Sequence, residues 1–147
     1  MTTQDSGSQT ASTHSTPTDY FGLDIPLMDH LGLIPESWSP QLTRTRLPYR
    51  PQLLNSRGDV HGGALMAALD FTLSAAARAN EPGSGMATID MTTHFLAPAR
   101  STVVIETTCL RMGGSLAFCE GRVLDEEGRL LATAAATFKI VRNKGSD

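Results

Sequence analysis

Apolar and polar positions divide the chain into a polar N-terminal stretch, one long helical segment and a run of strand-like segments. Met1 to about Asp19 is dominated by Ser, Thr and Gln. Such a stretch buries too little apolar surface to offset its ordering entropy, so residues 1–19 are expected to be a disordered tail ahead of a single domain over 20–147. Asp24-Ile-Pro-Leu-Met-Asp-His-Leu-Gly reads as a short helix with Asp24 as N-cap, Pro26 in the first turn and Gly32 at its end, docked through Leu27, Met28, Leu31 and Leu33. Leu42–Leu47 alternates as a first strand, ended by Pro48 and Pro51. From Gly63 to about Asn80 the chain is rich in Ala, Leu and Met and apolar almost all round, with Asp70 its only charge before Arg78. A helix of that kind is expected to be buried on every side. Four strand segments follow: Met86–Leu96, Thr102–Met112, Leu116–Leu124 and Arg129–Val141. Gly113-Gly114 is expected to form a hairpin turn that tolerates positive φ, Asp125–Gly128 to form another turn, and short connections to make the four strands an antiparallel meander.

One helix apolar on all sides and one antiparallel sheet leave a simple packing solution, in which the curved sheet wraps the helix. Small side chains in Leu131-Ala-Thr-Ala-Ala-Ala-Thr137 would let the two approach closely. The expected class is α+β, with a curved antiparallel β-sheet around one long buried helix, the geometry called a hotdog fold.

Composition narrows the partners. The 147 residues suffice for one domain, and no apolar run approaches the ~20 residues of a membrane span. A net charge of −3 without a basic block argues against nucleic acid. The opening residues lack the basic and apolar segments of a secretory signal, so a cytoplasmic location is expected. Cys109 and Cys119 flank a predicted hairpin, where they can face each other, and are read as reduced core residues. His14, His30, His61 and His94 show no metal-ligand spacing, and no phosphate-binding loop, dinucleotide fingerprint or nucleophile elbow is present. No metal or cofactor is expected.

The residues Asn55-x5-His61-Gly62-Gly63-x6-Asp70, with Thr88-Ile-Asp-Met, Phe95-Leu-Ala-Pro98, Gly128-Arg-Leu-Leu-Ala132 and Thr137-Phe138, resemble the signature of phenylacetyl-CoA thioesterase-like hotdog enzymes. The resemblance runs from about Leu42 to Val141. It implies hydrolysis of an acyl-CoA thioester, with CoA part of the substrate. By position it implies Asp70 as general base or nucleophile and the Gly62 backbone N–H as the group polarising the thioester carbonyl. It further implies that Asn55 places the attacking water, that Thr88 assists near the carboxylate, and that His61 lies near the thiol leaving group. It also implies a homodimer, and in many members a homotetramer built as a dimer of dimers.

Physical chemistry bears on each role. The first turn of a helix has unpaired N–H groups that can serve as an oxyanion hole, and glycine there leaves room for substrate; the alternative is that the glycines only ease the loop into the helix. An Asp in a helix otherwise made for burial is costly, and such costs gather at active sites. Its alternative is a structural bond to a nearby hydroxyl such as Ser74. Asn55 could simply cap a turn. Eight residues separate Gly62 from Asp70, roughly 12 Å along one helix, so both cannot reach one thioester carbon from the same chain. A two-fold axis setting two helices antiparallel would join Gly62 of one subunit to Asp70 of the other.

Two rivals stand beside hydrolysis. One is a hotdog enoyl-acyl hydratase or dehydratase, suggested superficially by His94-Phe95 with Pro98; the other is a non-catalytic acyl-CoA-binding protein. Arg100, Arg111, Arg142 and Lys139 are all candidates for the CoA phosphates, and Met66, Met91 and Phe95 for the acyl pocket.

Overall fold

Six antiparallel strands form one sheet that curves around a 17-residue helix. The computed structural model describes residues 18–143, so the expected tail lies outside the described residues except for Thr18 and Asp19. The elements are α1 (Pro26–Leu31), β1 (Ile34–Ser37), β2 (Thr43–Leu47), a 3-10 turn (Pro51–Leu53), α2 (Gly62–Arg78), β3 (Gly85–Phe95), β4 (Val103–Met112), β5 (Leu116–Leu124) and β6 (Leu130–Val141). The strand order is β1-β2-β4-β5-β6-β3. This is the helix-in-sheet arrangement of a hotdog fold.

The topology departs from a four-strand meander. Of the last four strands only β4, β5 and β6 follow one another in space; β3 pairs with β6 and forms the opposite edge from β1. The segment after β3 causes this. The N–H groups of Leu96 and Ala97 both donate to the Leu131 carbonyl, at 2.8 and 3.1 Å, and the Ala99 carbonyl accepts from the Val60 N–H at 2.8 Å. The chain thus passes along the end of the sheet, tying down the loop before α2, and re-enters beside β2. The short edge strand β1, Ile-Pro-Glu-Ser, was not expected, since Pro35 interrupts it and it shows no alternating burial.

Local corrections are smaller. The N-cap of α1 is Ile25 rather than Asp24, without a side-chain cap; Pro26 occupies the first turn, where its missing N–H costs nothing. Gly32 closes that helix at φ 77° as expected. Met28, Leu31 and Leu33 are buried, but Leu27 is 53% exposed. Neither Gly113 nor Gly114 takes a positive φ. The connection there has three residues, closed by Gly113 N–H donating to Leu116 O at 2.7 Å, so no two-residue primed turn is needed. The Asp125–Gly128 turn forms as expected, with Gly128 at φ 84°.

Buried hydroxyls set the rotation of α2. Thr72, fully buried, bonds Thr45 of β2 through Oγ1 at 2.8 Å, and its carbonyl accepts from Thr107 Oγ1 of β4 at 2.9 Å. Gly121 of β5 lies under this junction: a Cβ there would fall 2.7 Å from Thr107 Cγ2 and 3.2 Å from Leu73 Cδ2. At the other end of α2, Trp38 Nε1 donates to Ala75 O at 2.7 Å, and the Arg78 guanidinium sits 4.7 Å over the Trp38 ring while donating to Phe21 O. Burial pulls the Arg78 pKa below its ordinary value, with the Asp19 charge acting the other way. These contacts hold the segment from Thr18 onward to the domain.

Burial of α2 is not complete on every side. Gly63, Met66, Ala67, Asp70 and Ser74 form a helical stripe that the sheet of the same chain leaves exposed or half-buried.

Candidate active site

Asp70 lies on the uncovered stripe of α2, where its Oδ1 accepts from Thr88 Oγ1 of β3 at 2.7 Å. Ser74, the alternative structural partner, instead donates to Phe71 O at 2.8 Å. A β-bulge aims Thr88 at the helix. The β3–β6 register runs Thr88↔Phe138 and then Asp90↔Thr137, which leaves Ile89 as an extra residue. An extra residue inverts the alternation of faces beyond it. Met86 and Thr88 therefore face inward before the bulge, and Met91 and Phe95 after it, while His94 is turned to the outer face of the sheet.

The N-terminus of α2 forms the second part of the site. His61 caps the helix: its Nδ1 accepts from Gly63 N–H at 2.7 Å, and its carbonyl accepts from Ala64 and Leu65 N–H at 2.9 and 3.1 Å. Among the described residues this leaves Gly62 as the one N–H of the first turn without a protein partner. The Phe95 ring lies against Gly62, with Cζ 3.3 Å from where a Cβ would stand. A carbonyl oxygen brought to this N–H would meet an unpaired donor and the positive end of the helix dipole.

Asn55 takes the structural reading offered for it, as a turn cap. Its Oδ1 accepts from the N–H groups of Arg57 and Asp59 at 2.8 and 3.1 Å, so the side chain does cap the turn. Those bonds fix the amide orientation and leave Nδ2 as a free donor. Asn55 can thus present N–H to an oxygen, but its own oxygen is spent on the loop. Asn55, Gly62 and Phe95 share a cleft of about 520 Å³ with Asp59 and Arg100.

Within the chain these groups form two separate clusters. Asp70 with Thr88 stands two helical turns, roughly 12 Å, from Gly62 with Asn55. The His61 ring, exposed, lines a separate cavity of about 330 Å³ with His30, Leu31 and Leu53. A groove of about 580 Å³ lies on the outer face of the sheet and contains none of these groups, but holds His94 with Glu106 and Arg122. Cys109 and Cys119 are cross-strand neighbours as expected, and both are free. Burial, reinforced by Cys109, pushes the Cys119 thiol well above its ordinary range, so it is no ready nucleophile. Among the described residues no group of three or more His, Cys, Asp or Glu is placed to hold a metal, and no helix is long and apolar enough to cross a membrane.

Sequence reasoning missed the Asp59 cluster. Asp59 is buried at 6% exposure, and it meets Arg100 Nε at 2.8 Å and Arg57 Nε at 3.6 Å. The hydrogen bond from Arg100 holds its carboxyl below the usual range despite burial. The only signal was a charged triplet, Arg57-Gly-Asp59, inside a loop read for its glycines and asparagine.

Comparison with known proteins decides the family. The model of the thioesterase superfamily matches residues 57–132, slightly over half of the chain. The chain belongs to the thioesterase superfamily. A Halobacterium salinarum protein named "Putative esterase" is 30% identical over 132 residues, covering 82% of this chain and 87% of that protein. The crystal structure of a thioesterase from Haemophilus influenzae superposes with a TM-score of 0.75 at 21% identity, over 81% of this chain and 85% of that one. The E. coli PaaI protein from the phenylacetic acid degradation operon superposes with a TM-score of 0.71 at 16% identity, over 78% of this chain and 87% of that one. These two likenesses speak to the hotdog fold, and the family match to hydrolysis of thioesters as the general chemistry.

Proposed function

We propose that this thioesterase hydrolyses an acyl-CoA to the free acid and CoA at a site shared between two subunits. Asp70 and Thr88 come from one chain, Gly62 and Asn55 from its partner. The observation that carries the reading is the unpaired Gly62 N–H at one end of α2 and the hydroxyl-bonded Asp70 two turns away. Each is half of a hydrolytic site, and neither reaches the other within a chain. Two surfaces support the pairing. The eleven-residue strand β3 is bonded on one side only and exposes Ile89 at 55% and Phe95 at 51%. The α2 stripe that carries Asp70 is also left uncovered. An unprotected strand edge of this length calls for a cover. Antiparallel pairing of β3 with a second β3 about a two-fold axis would also lay the two α2 helices antiparallel, as the shared site requires.

In this site the thioester oxygen accepts from Gly62 N–H, and the developing oxyanion is stabilised by the helix N-terminus. Thr88 occupies Oδ1 of Asp70, which leaves Oδ2 to take the proton of an attacking water or to attack the carbonyl carbon itself. In the first route the C–S bond breaks as hydroxide adds, and the thiolate takes the proton that Asp70 received; in the second the thiolate leaves, takes a proton from solvent, and water then hydrolyses the acyl–Asp70 anhydride to the free acid. Asn55 Nδ2 donates to the incoming water oxygen. His61 acts by capping: it occupies the Gly63 N–H and leaves Gly62 as the donor. The hydratase alternative loses its acid–base pair, because His94 faces away from Asp70, across the sheet.

A panel of acyl-CoA esters with a thiol reagent tests the reading. Stoichiometric release of CoA thiol and free acid is expected. Addition of water to an enoyl-CoA without thiol release, or tight binding without turnover, would contradict it.

A further inference from the structure

We propose that Arg57 and Arg100 form a paired guanidinium clamp for the diphosphate-bearing end of CoA, with Asp59 as the residue that positions both. The proposal rests on the acyl-CoA reading and adds the site for the nucleotide half of the substrate. Both guanidinium groups turn Nε toward Asp59, at 2.8 Å from Arg100 and 3.6 Å from Arg57. Among the described residues neither makes a hydrogen bond through its terminal Nη atoms. The side chains are 70% and 75% exposed, whereas the Asp59 side chain is 8% exposed. A buried carboxylate thus holds two guanidinium groups by their inner edges and leaves two outward forks. A fork of this kind matches two oxygens of one phosphate, and two side by side match a diphosphate better than a single phosphodiester. The cluster carries two positive charges against one negative, on a chain whose net charge is −3.

Position favours the same assignment. Arg57, Asp59 and Arg100 line the cleft that contains Gly62 and Asn55. The backbone of Asp59 is bonded to Asn55 in both directions, since Asp59 N–H donates to Asn55 Oδ1 and Asp59 O accepts from Asn55 N–H at 2.8 Å. The Val60–Ala99 bond brings the segment that carries Arg100 alongside. One loop therefore carries the amide at the reacting end and the anchor for the phosphate end.

Among the described residues, five other cations are committed to partners or to the outer face. Arg142 is closed on both Glu81 oxygens and on Gly114 O. Arg44 and Arg122 are bound to Glu106 on the outer face. Arg111 and Lys139, paired across the sheet with Phe118 and Ala87, alternate to that same outer face.

The test compares one acyl group on CoA, on 4′-phosphopantetheine and on pantetheine, using wild-type full chain and the Arg57→Gln, Arg100→Gln and double variants. The ratio of KM values discriminates a clamp from a loop staple, because a staple would shift all three substrates alike. In wild type, KM is expected to rise from acyl-CoA to acyl-phosphopantetheine to acyl-pantetheine. Each single variant should cut the preference for acyl-CoA over acyl-pantetheine about tenfold, the order expected for one exposed charge-assisted contact. Adenosine 5′-diphosphate should compete with acyl-CoA in wild type and lose at least tenfold in potency in the double variant. Parallel loss on all substrates, or an unchanged preference, overturns the clamp while the acyl-CoA reading stands. Equal KM for acyl-CoA and acyl-phosphopantetheine in wild type overturns the diphosphate assignment. A wild-type enzyme that hydrolyses acyl-pantetheine but no acyl-CoA overturns the parent reading and the clamp together.

Discussion

Replacing Thr88 with valine removes one hydroxyl and little else. Valine matches threonine in shape and suits a strand, so β3 should keep its bulge and register. What is lost is the 2.7 Å bond from Thr88 Oγ1 to Asp70 Oδ1. A hydroxyl donating to an ionised carboxylate is worth about 1.5–3 kcal/mol, and about 1.4 kcal/mol is a factor of ten in rate. Asp70 is only half-buried in a single protomer, which places the effect near the lower end, roughly a tenfold fall in kcat. Without this bond the carboxylate also gains rotameric freedom, so the loss should appear in kcat more than in KM. Thr88→Ser keeps Oγ and should stay within about threefold of wild type. Thiol release at saturating acyl-CoA gives kcat, and a circular-dichroism melt checks the fold. A folded Thr88→Val enzyme with wild-type kcat, or equal losses in the valine and serine variants, would refute the role assigned to this pair.

Three further outcomes follow from single contacts. Gly62→Ala should leave Tm within about 2 °C, since alanine is the better helix former, yet lower kcat at least tenfold; its methyl would stand 3.3 Å from Phe95 Cζ and displace the ring beside the donor. Gly121→Ala should cost about 1–3 kcal/mol and lower Tm by roughly 5 °C or more, because its Cβ would fall 2.7 Å from Thr107 Cγ2 and 3.1 Å from Glu106 O. Burial first, and then the Asp29 charge, push the Tyr20 phenol from 10.0 to about 12. Its folded pKa is raised, so its contribution is full below pH 10 and is lost as pH climbs toward 12. Urea midpoints measured across that range should fall more steeply for wild type than for Tyr20→Phe.

The long helix was readable because eighteen residues with a single carboxylate favour burial, although the stripe that carries that carboxylate is left uncovered by the sheet. The strands were readable from alternation, and Gly128 and Gly32 from their turns. Strand order was not. β3 reaches β6 because the Leu131 carbonyl and the Val60 N–H capture the segment after it, and no local pattern announces such long-range bonds. The bulge at Ile89 is invisible for the same reason, although it decides that Thr88 faces Asp70 and His94 does not. Asn55 could be chosen from the chain, but only the loop geometry shows that its oxygen is spent and its NH2 is free. The Asp59 anchor depends on Arg100, which stands far along the chain and arrives by the same crossing segment.

The shared site is tested most directly by subunit exchange. Asp70→Asn removes the carboxylate while nearly preserving volume. Asn55→Asp keeps the oxygen that accepts from Arg57 and Asp59 N–H and removes the Nδ2 donor, so the loop survives and the donor does not. Each homodimer should be inactive on acyl-CoA. Unfolded and refolded together in equal amounts, half of the dimers become mixed; in each of these one site collects both lesions and the other collects none. The mixture should regain about a quarter of wild-type activity. If both half-sites belonged to a single chain, no dimer would hold an intact site. A mixture that stays inactive, with subunit exchange shown by a tagged chain, would contradict the account.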